Sequence, residues 1–139
     1  KKRIFSILLV MISILIMKND AFKILTIKEW ISAKEKGYIE TKLDNKDGFI
    51  HLSSSGQLAL SLELYFQNDE TLVLLQINIE KLQNKIVYET TDNSSHRKGK
   101  FPHLYDKLHI DDVLKTWNIQ RKAFQIPNEI LIEAEKKHS

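Results

Sequence analysis

The sequence predicts an α+β domain in which small mixed or antiparallel sheets pack with two or three helices, and three observations carry that prediction. From residue 22 onward apolar residues fall in short runs of strand length; one, Leu72-Val73-Leu74-Leu75-Gln76-Ile77-Asn78-Ile79, is apolar enough for a central strand buried on both faces. Helical segments alternate with these runs, one with clear start and stop signals and one, residues 57–66, rich in Leu, Gln, Ala and Glu with no β-branched residue. The 139 residues, 42% apolar and 28% charged, suffice for one domain with a modest core.

Taken in order, residues 22–26 read as the first strand. Thr26 then caps a helix with Glu29 as its capping-box partner, and the helix runs to about Lys36. Trp30, Ile31 and Ala33 give it a buried stripe, and Gly37 stands where a C-cap glycine belongs. Asp44-Asn45-Lys46-Asp47-Gly48 reads as a polar turn that reverses the chain into a short strand, residues 49–53. Alternation along that strand turns Ile50 and Leu52 one way and Phe49, His51 and Ser53 the other. Ser54 or Ser55 supplies the N-cap of the helix over residues 57–66.

After the central strand comes a turn at residues 80–82 and a further strand over residues 86–89, with Glu89 on the face of Val87. Residues 90–100 are polar with nothing to bury, and read as a mobile loop or lid; His96, Arg97, Lys98 and Lys100 make it cationic. Phe101-Pro102-His103-Leu104-Tyr105 returns the chain with His103 and Tyr105 on one face, although proline argues against a central strand at its own position. A turn at Asp111-Asp112, a last strand ending near Trp117, and an amphipathic helix from Pro127 with Ile130, Leu131 and Ala134 as its apolar side complete the chain.

Charge and composition narrow the chemistry. The net charge is +3, but residues 22–118 hold 13 Lys and Arg against 14 Asp and Glu, a net of −1, so the central domain shows no DNA-binding signature. With no cysteine, disulfides, thiolate nucleophiles and cysteine-ligated metals are excluded. A cytoplasmic location is the expectation, with membrane anchoring or export through residues 1–17 as the alternative. The chain divides into an apolar N-terminal segment, residues 1–20; an α+β domain, residues 21–118; and a C-terminal extension with helical character, residues 119–139. Lys1-Lys2-Arg3 before the apolar residues 4–17 has signal or anchor chemistry, yet the run is shorter than the roughly 20 residues that span a bilayer and lacks a cleavage site; Met17 as the true start is the alternative. A membrane enters as a partner only if that segment is retained as an anchor.

Two blocks of this sequence, Asp47-Gly48-Phe49-Ile50-His51-Leu52-Ser53 and Phe101-Pro102-His103-Leu104-Tyr105, resemble the signature blocks of domain-of-unknown-function family 952. Phe22-Lys23-Ile24-Leu25 with Trp30, Leu72-Val73-Leu74-Leu75 with Ile77, and Tyr88-Glu89 fall where that family has its first strand, central strand and acidic block. The resemblance covers roughly residues 22–117. It implies an ADP-ribosyltransferase-like fold, a grouping that includes RNA 2′-phosphotransferases and binds NAD between two small sheets. It further implies Glu89 as the acidic transferase residue, and NAD as the cofactor such a cleft takes. This chain departs from the pattern by carrying Lys23 where many such enzymes have a first-strand histidine, which places Lys23 among the ligand contacts.

The functional expectation is a cleft that binds or acts on a small phosphate-bearing or nucleotide-like ligand. His51 and His103 donate to a phosphate or pass a proton, and Glu89 orients a ribose hydroxyl or stabilises a developing cation. Ser53 and Ser54 add hydroxyl or helix-start contacts, and Tyr105 lies beside His103. Each has a bland counterpart: a histidine satisfied at a sheet edge, a surface carboxylate, serines that only cap a helix, a tyrosine that anchors the loop's return. A non-catalytic binding module is the alternative to a transferase. A metal held by His51, His103 and Glu89 has suitable ligand types but no helical spacing behind it.

Overall fold

The computed structural model describes residues 6–7, 19–69, 71–91, 97, 99–120 and 128–137. Eight strands occur among them: β1 Phe22–Thr26, β2 Tyr38–Ile39, β3 Ile50–His51, β4 Thr71–Ile77, β5 Ile86–Thr90, β6 Lys100–Leu104, β7 Leu108–His109 and β8 Val113–Gln120. The helices are α1 Ile27–Lys36, α2 Lys42–Asp47, α3 Leu58–Tyr65, α4 Ile79–Leu82 and α5 Asn128–Lys136, the second and fourth very short. The chain is thus α+β, with three small sheets ordered β1-β4-β8, β2-β7 and β3-β6-β5, in which every pairing is antiparallel.

The expected centre of the first sheet is β4, whose Leu72, Val73, Leu75 and Ile77 are fully or almost fully buried. Leu25, Ile50, Leu52, Leu104 and Leu108 join Val73, Leu75 and Ile77 in the core, so that the core lies between the first and third sheets. The capping box of α1 forms as read: Thr26 Oγ1 accepts from Glu29 N, and Glu29 Oε1 accepts from Thr26 N. Gly37 ends the helix at φ +86°, a left-handed conformation that costs glycine little. Of the predicted stripe, Ala33 is buried and Trp30 packs on the core, but Ile31 is 48% exposed.

Several elements depart from the sequence expectation. The polar turn at residues 44–48 is instead the last part of α2, because Thr41 Oγ1 accepts from Asp44 N to start a helix and Gly48, at φ +81°, stops it. The strand over residues 49–53 shortens to the two residues of β3. The turn at residues 80–82 belongs to α4. Pro102 lies within β6, the middle strand of its sheet. Its carbonyl accepts from Leu52 N, so its missing donor also falls on the β3 side, beyond the end of that two-residue strand, and the ladder to β5 is untouched.

The polar segment of residues 90–100 does bury a side chain. Arg97 is 7% exposed, its Nε and Nη2 lying 3.2 and 3.1 Å from Glu135 Oε1. Its Nη1 donates to Ser61 Oγ, its Nη2 to the Gln57 carbonyl, and its guanidinium stacks 4.3 Å from the Phe101 ring centroid. On α5 Glu135 is buried and Leu131 half-buried, while Ile130 is 57% exposed and Ala134 is exposed, so that only Leu131 of the predicted stripe turns partly inward. The rest of the expected lid, residues 92–96 and 98, and nearly all of the apolar run at residues 4–17 lie outside the described residues. Among the described residues no helix is long and apolar enough to cross a membrane.

Removing one partner of a buried ion pair strands the other charge, so Glu135→Ala is expected to cost about 3 kcal/mol and lower Tm by roughly 10 °C. Arg97→Met added to it should restore part of the loss. A thermal melt in which Glu135→Ala matches the parent would show that this contact does not hold α5.

Candidate functional site

Two carboxylate–histidine pairs meet across the β3–β6 ladder, where His51 stands directly opposite His103. The first is built from α2. Asp44 and Asp47 are three residues apart and therefore share one side of the helix. His51 follows the Gly48 reversal and lies between them, its Nδ1 2.7 Å from Asp44 Oδ1 and its Nε2 2.8 Å from Asp47 Oδ2. The ring donates to both carboxylates only while both of its nitrogens carry protons. Asp44 Oδ1 also accepts from the backbone N–H of His51, at 3.0 Å. From β1, Lys23 Nζ donates to Asp44 Oδ2 at 2.7 Å and to the His51 carbonyl at 3.1 Å.

Asp44 is 5% exposed. Burial alone would push its carboxyl up, but the hydrogen bonds from His51 and the charge of Lys23 outweigh it and hold the pKa at about 2. Burial pulls the Lys23 ammonium below the ordinary lysine range, with Asp44 working against that pull.

The second pair lies on the third sheet. Glu89 of β5 accepts at Oε2 from His103 Nδ1, 2.7 Å away, and from the Tyr105 hydroxyl, 2.8 Å away. Those two bonds hold the Glu89 carboxyl below its usual range, and the same carboxylate raises the pKa of Tyr105. Burial lowers the pKa of His103, which its bond to Glu89 only partly opposes. A neutral ring facing an anionic carboxylate carries its proton on Nδ1 and leaves a lone pair on Nε2. Among the described residues nothing bonds that Nε2.

Phe49 fills the space between the pairs. Its ring stacks on His103 with centroids 4.1 Å apart and planes 21° apart, and tilts against His51 at 4.6 Å and Tyr105 at 5.4 Å. The two imidazole centroids are 5.7 Å apart. Beside this cluster a cavity of about 580 Å³ opens, lined by Tyr38, Glu40, Asp106 and Lys107 among others. The histidines do not line it, but Asp44, Phe49 and Tyr105 belong to both.

Four of the residues singled out in the sequence, His51, His103, Glu89 and Tyr105, are therefore brought together. Lys23 joins them from beneath, with its ammonium spent on Asp44 and the His51 carbonyl rather than turned to a ligand. Ser53 and Ser54 do not join: Ser53 is buried with its Oγ 3.0 Å from Ser61 Oγ, and its backbone bridges to Phe22. The helix-start N–H groups expected to meet a phosphate are taken, Ser54 N by Gln57 Oε1 and Ser55 N by Asp20 Oδ1. Sequence reasoning missed Asp44, Asp47 and the bridging role of Phe49; Thr41 and Gly48 at the two ends of α2 were the signal that could have found the aspartates. Among the described residues no group of three or more His and carboxylate side chains is arranged to hold a metal ion.

Because the folded carboxyl of Asp44 titrates below its unfolded value of 3.8, its contribution to stability is complete above about pH 4 and is lost as pH falls toward 2. The shift is worth about 2 kcal/mol. Urea unfolding between pH 2 and 6 should show that loss in the parent and its absence in Asp44→Asn, which should be the less stable protein at pH 6. Equal acid slopes in the two proteins would contradict the assignment.

The model of the family described as "Protein of unknown function (DUF952)" matches residues 24–116. The crystal structure of protein CC0527 from Caulobacter crescentus is similar at 32% identity and a TM-score of 0.67, over 80% of this chain and 96% of that one. Its solution NMR structure matches at 33% identity and a TM-score of 0.62, over 74% and 86%. No curated protein matches the chain. The shared sequence blocks, the family match and a common fold at this identity place the chain in one group: it belongs to the DUF952 family.

Proposed function

We propose that the chain is an enzyme in which His51 and His103 act as a general acid–base pair on a nucleotide-like small molecule. The observation that carries this reading is the pair itself: two imidazoles 5.7 Å apart, each tied at Nδ1 to a carboxylate at 2.7 Å, with Nε2 of His103 left open. A carboxylate behind an imidazole fixes its tautomer and its aim, which is what proton transfer requires. The two rings differ in a useful way. His103 is buried, biased toward the neutral form and suited to accept a proton; His51 has a carboxylate at each ring nitrogen, and we assign it the partner role.

The ADP-ribosyltransferase-like resemblance supplies the candidate reactions, transfer from NAD or ADP-ribose or removal of an RNA 2′-phosphate. Glu89 supports the first of these, since both of its bonds fall on Oε2 and leave Oε1 to a ribose hydroxyl. The negative charge of Asp44, Asp47 and Glu89 around the rings favours contact with the sugar or base over contact with a bare phosphate. One observation favours a non-catalytic binding module instead: Nε2 of His51 is already occupied by Asp47.

NAD, ADP-ribose and a 2′-phosphorylated oligoribonucleotide are the probes, with product followed by mass spectrometry. His103→Ala should lower turnover about 100-fold or more with little change in Tm. Since burial places the His103 pKa below 6.5, the acid limb of kcat/KM against pH should lie below 6.5. Glu89→Gln should move it lower still, because the carboxylate is what raises that pKa. Full turnover in His103→Ala sinks the reading, and a probe that raises the parent's Tm without being converted establishes the binding module.

A further inference from the structure

The cavity beyond Phe49 has chemistry that the histidine pair does not use. We propose that it seats a planar cationic head group, a guanidinium or a quaternised nitrogen heterocycle. The face of Tyr38 already holds a cation, since Lys107 Nζ stands 4.0 Å from its ring centroid and Lys36 Nζ 6.0 Å from it. An aromatic face attracts positive charge in this way through its quadrupole. Phe49 and Tyr105 give the same cavity two more aromatic walls, and Ile39, Ile50 and Leu104 an apolar floor, a lining made for a flat group.

The charge on the walls is unevenly balanced. Asp44 is matched by Lys23 and His51, and Glu40 by Lys36 and Asn45. Asp106 accepts the backbone N–H of Lys107 and, among the described residues, has no cationic partner. An anion entering here would face Asp106, the carboxylate without a cationic partner, and a neutral ring would make no use of it. A planar cation stacks on the aromatic walls and pairs with Asp106. Lys107, exposed on the chain between β6 and β7, is then the cavity's own occupant, displaced when the ligand arrives. Binding of the cation stands on the cavity alone; that the cation belongs to the substrate rests on the acid–base reading above.

Benzamidinium, benzamide and benzoate are nearly the same shape and differ in charge, so their binding, followed by NMR shifts of the Tyr38 and Tyr105 rings, tests the proposal directly. The expected order of affinity is benzamidinium first, benzamide next and benzoate last. Tyr38→Leu should weaken benzamidinium about threefold or more, and Tyr38→Phe, which keeps the aromatic face, should not. Lys107→Ala should tighten it, because the competing ammonium is gone. Benzoate binding best, no preference among the three, or weaker benzamidinium binding in Lys107→Ala would each overturn the proposal. His103→Ala should bind benzamidinium like the parent, so loss of turnover in that variant is read separately from loss of the cation site.

Discussion

One buried carboxylate, Asp44, decides where the rest of the site stands. It belongs to α2 and holds Lys23 of β1 on one oxygen and both the ring and the backbone N–H of His51, in β3, on the other. Three elements far apart in the chain are thereby fixed to one point. Burying a charge is unfavourable unless it is paired and hydrogen-bonded, and here every bond that makes the burial tolerable also sets the aim of a site residue.

The same contact resolves a problem created by the fold. In the order β3-β6-β5, β3 is an edge strand, and the N–H and C=O of His51 point away from the sheet. Edge groups of this kind are templates for unwanted pairing unless something covers them. Asp44 accepts the outward N–H and Lys23 donates to the outward carbonyl, so two side chains replace the missing neighbour strand. β3 thus ends after two residues and still carries a rigid histidine.

How much of this was legible in the sequence depends on the range of the forces involved. Period-two alternation placed His103 with Tyr105, and the two blocks containing His51 and His103 did become paired strands. Asp44 and Asp47 were hidden because Asp-Asn-Lys-Asp-Gly has turn composition, and only the cap at Thr41 tips it into a helix. Ser53 was misplaced because alternation gives a face but not a neighbour: beyond Leu52 the chain leaves β6 and bridges to Phe22. Arg97 stands in a polar segment with nothing apolar to bury, and charged residues are seldom buried unpaired; its partner Glu135 lies 38 residues away. Long-range pairing of polar side chains leaves no periodic trace.

The two histidine arms follow different physical rules. On the Asp44 arm, charge surrounds the ring, and both nitrogens are engaged. On the Glu89 arm, burial and a stacked phenyl ring surround it, and one nitrogen is left open. Two carboxylates flank the His51 ring, whereas burial biases the His103 ring toward its neutral form, so rings of the same type, facing each other across a single ladder step, sit in unlike surroundings. Phe49 touches both rings and also walls the cavity, so a single side chain joins the two arms to that space.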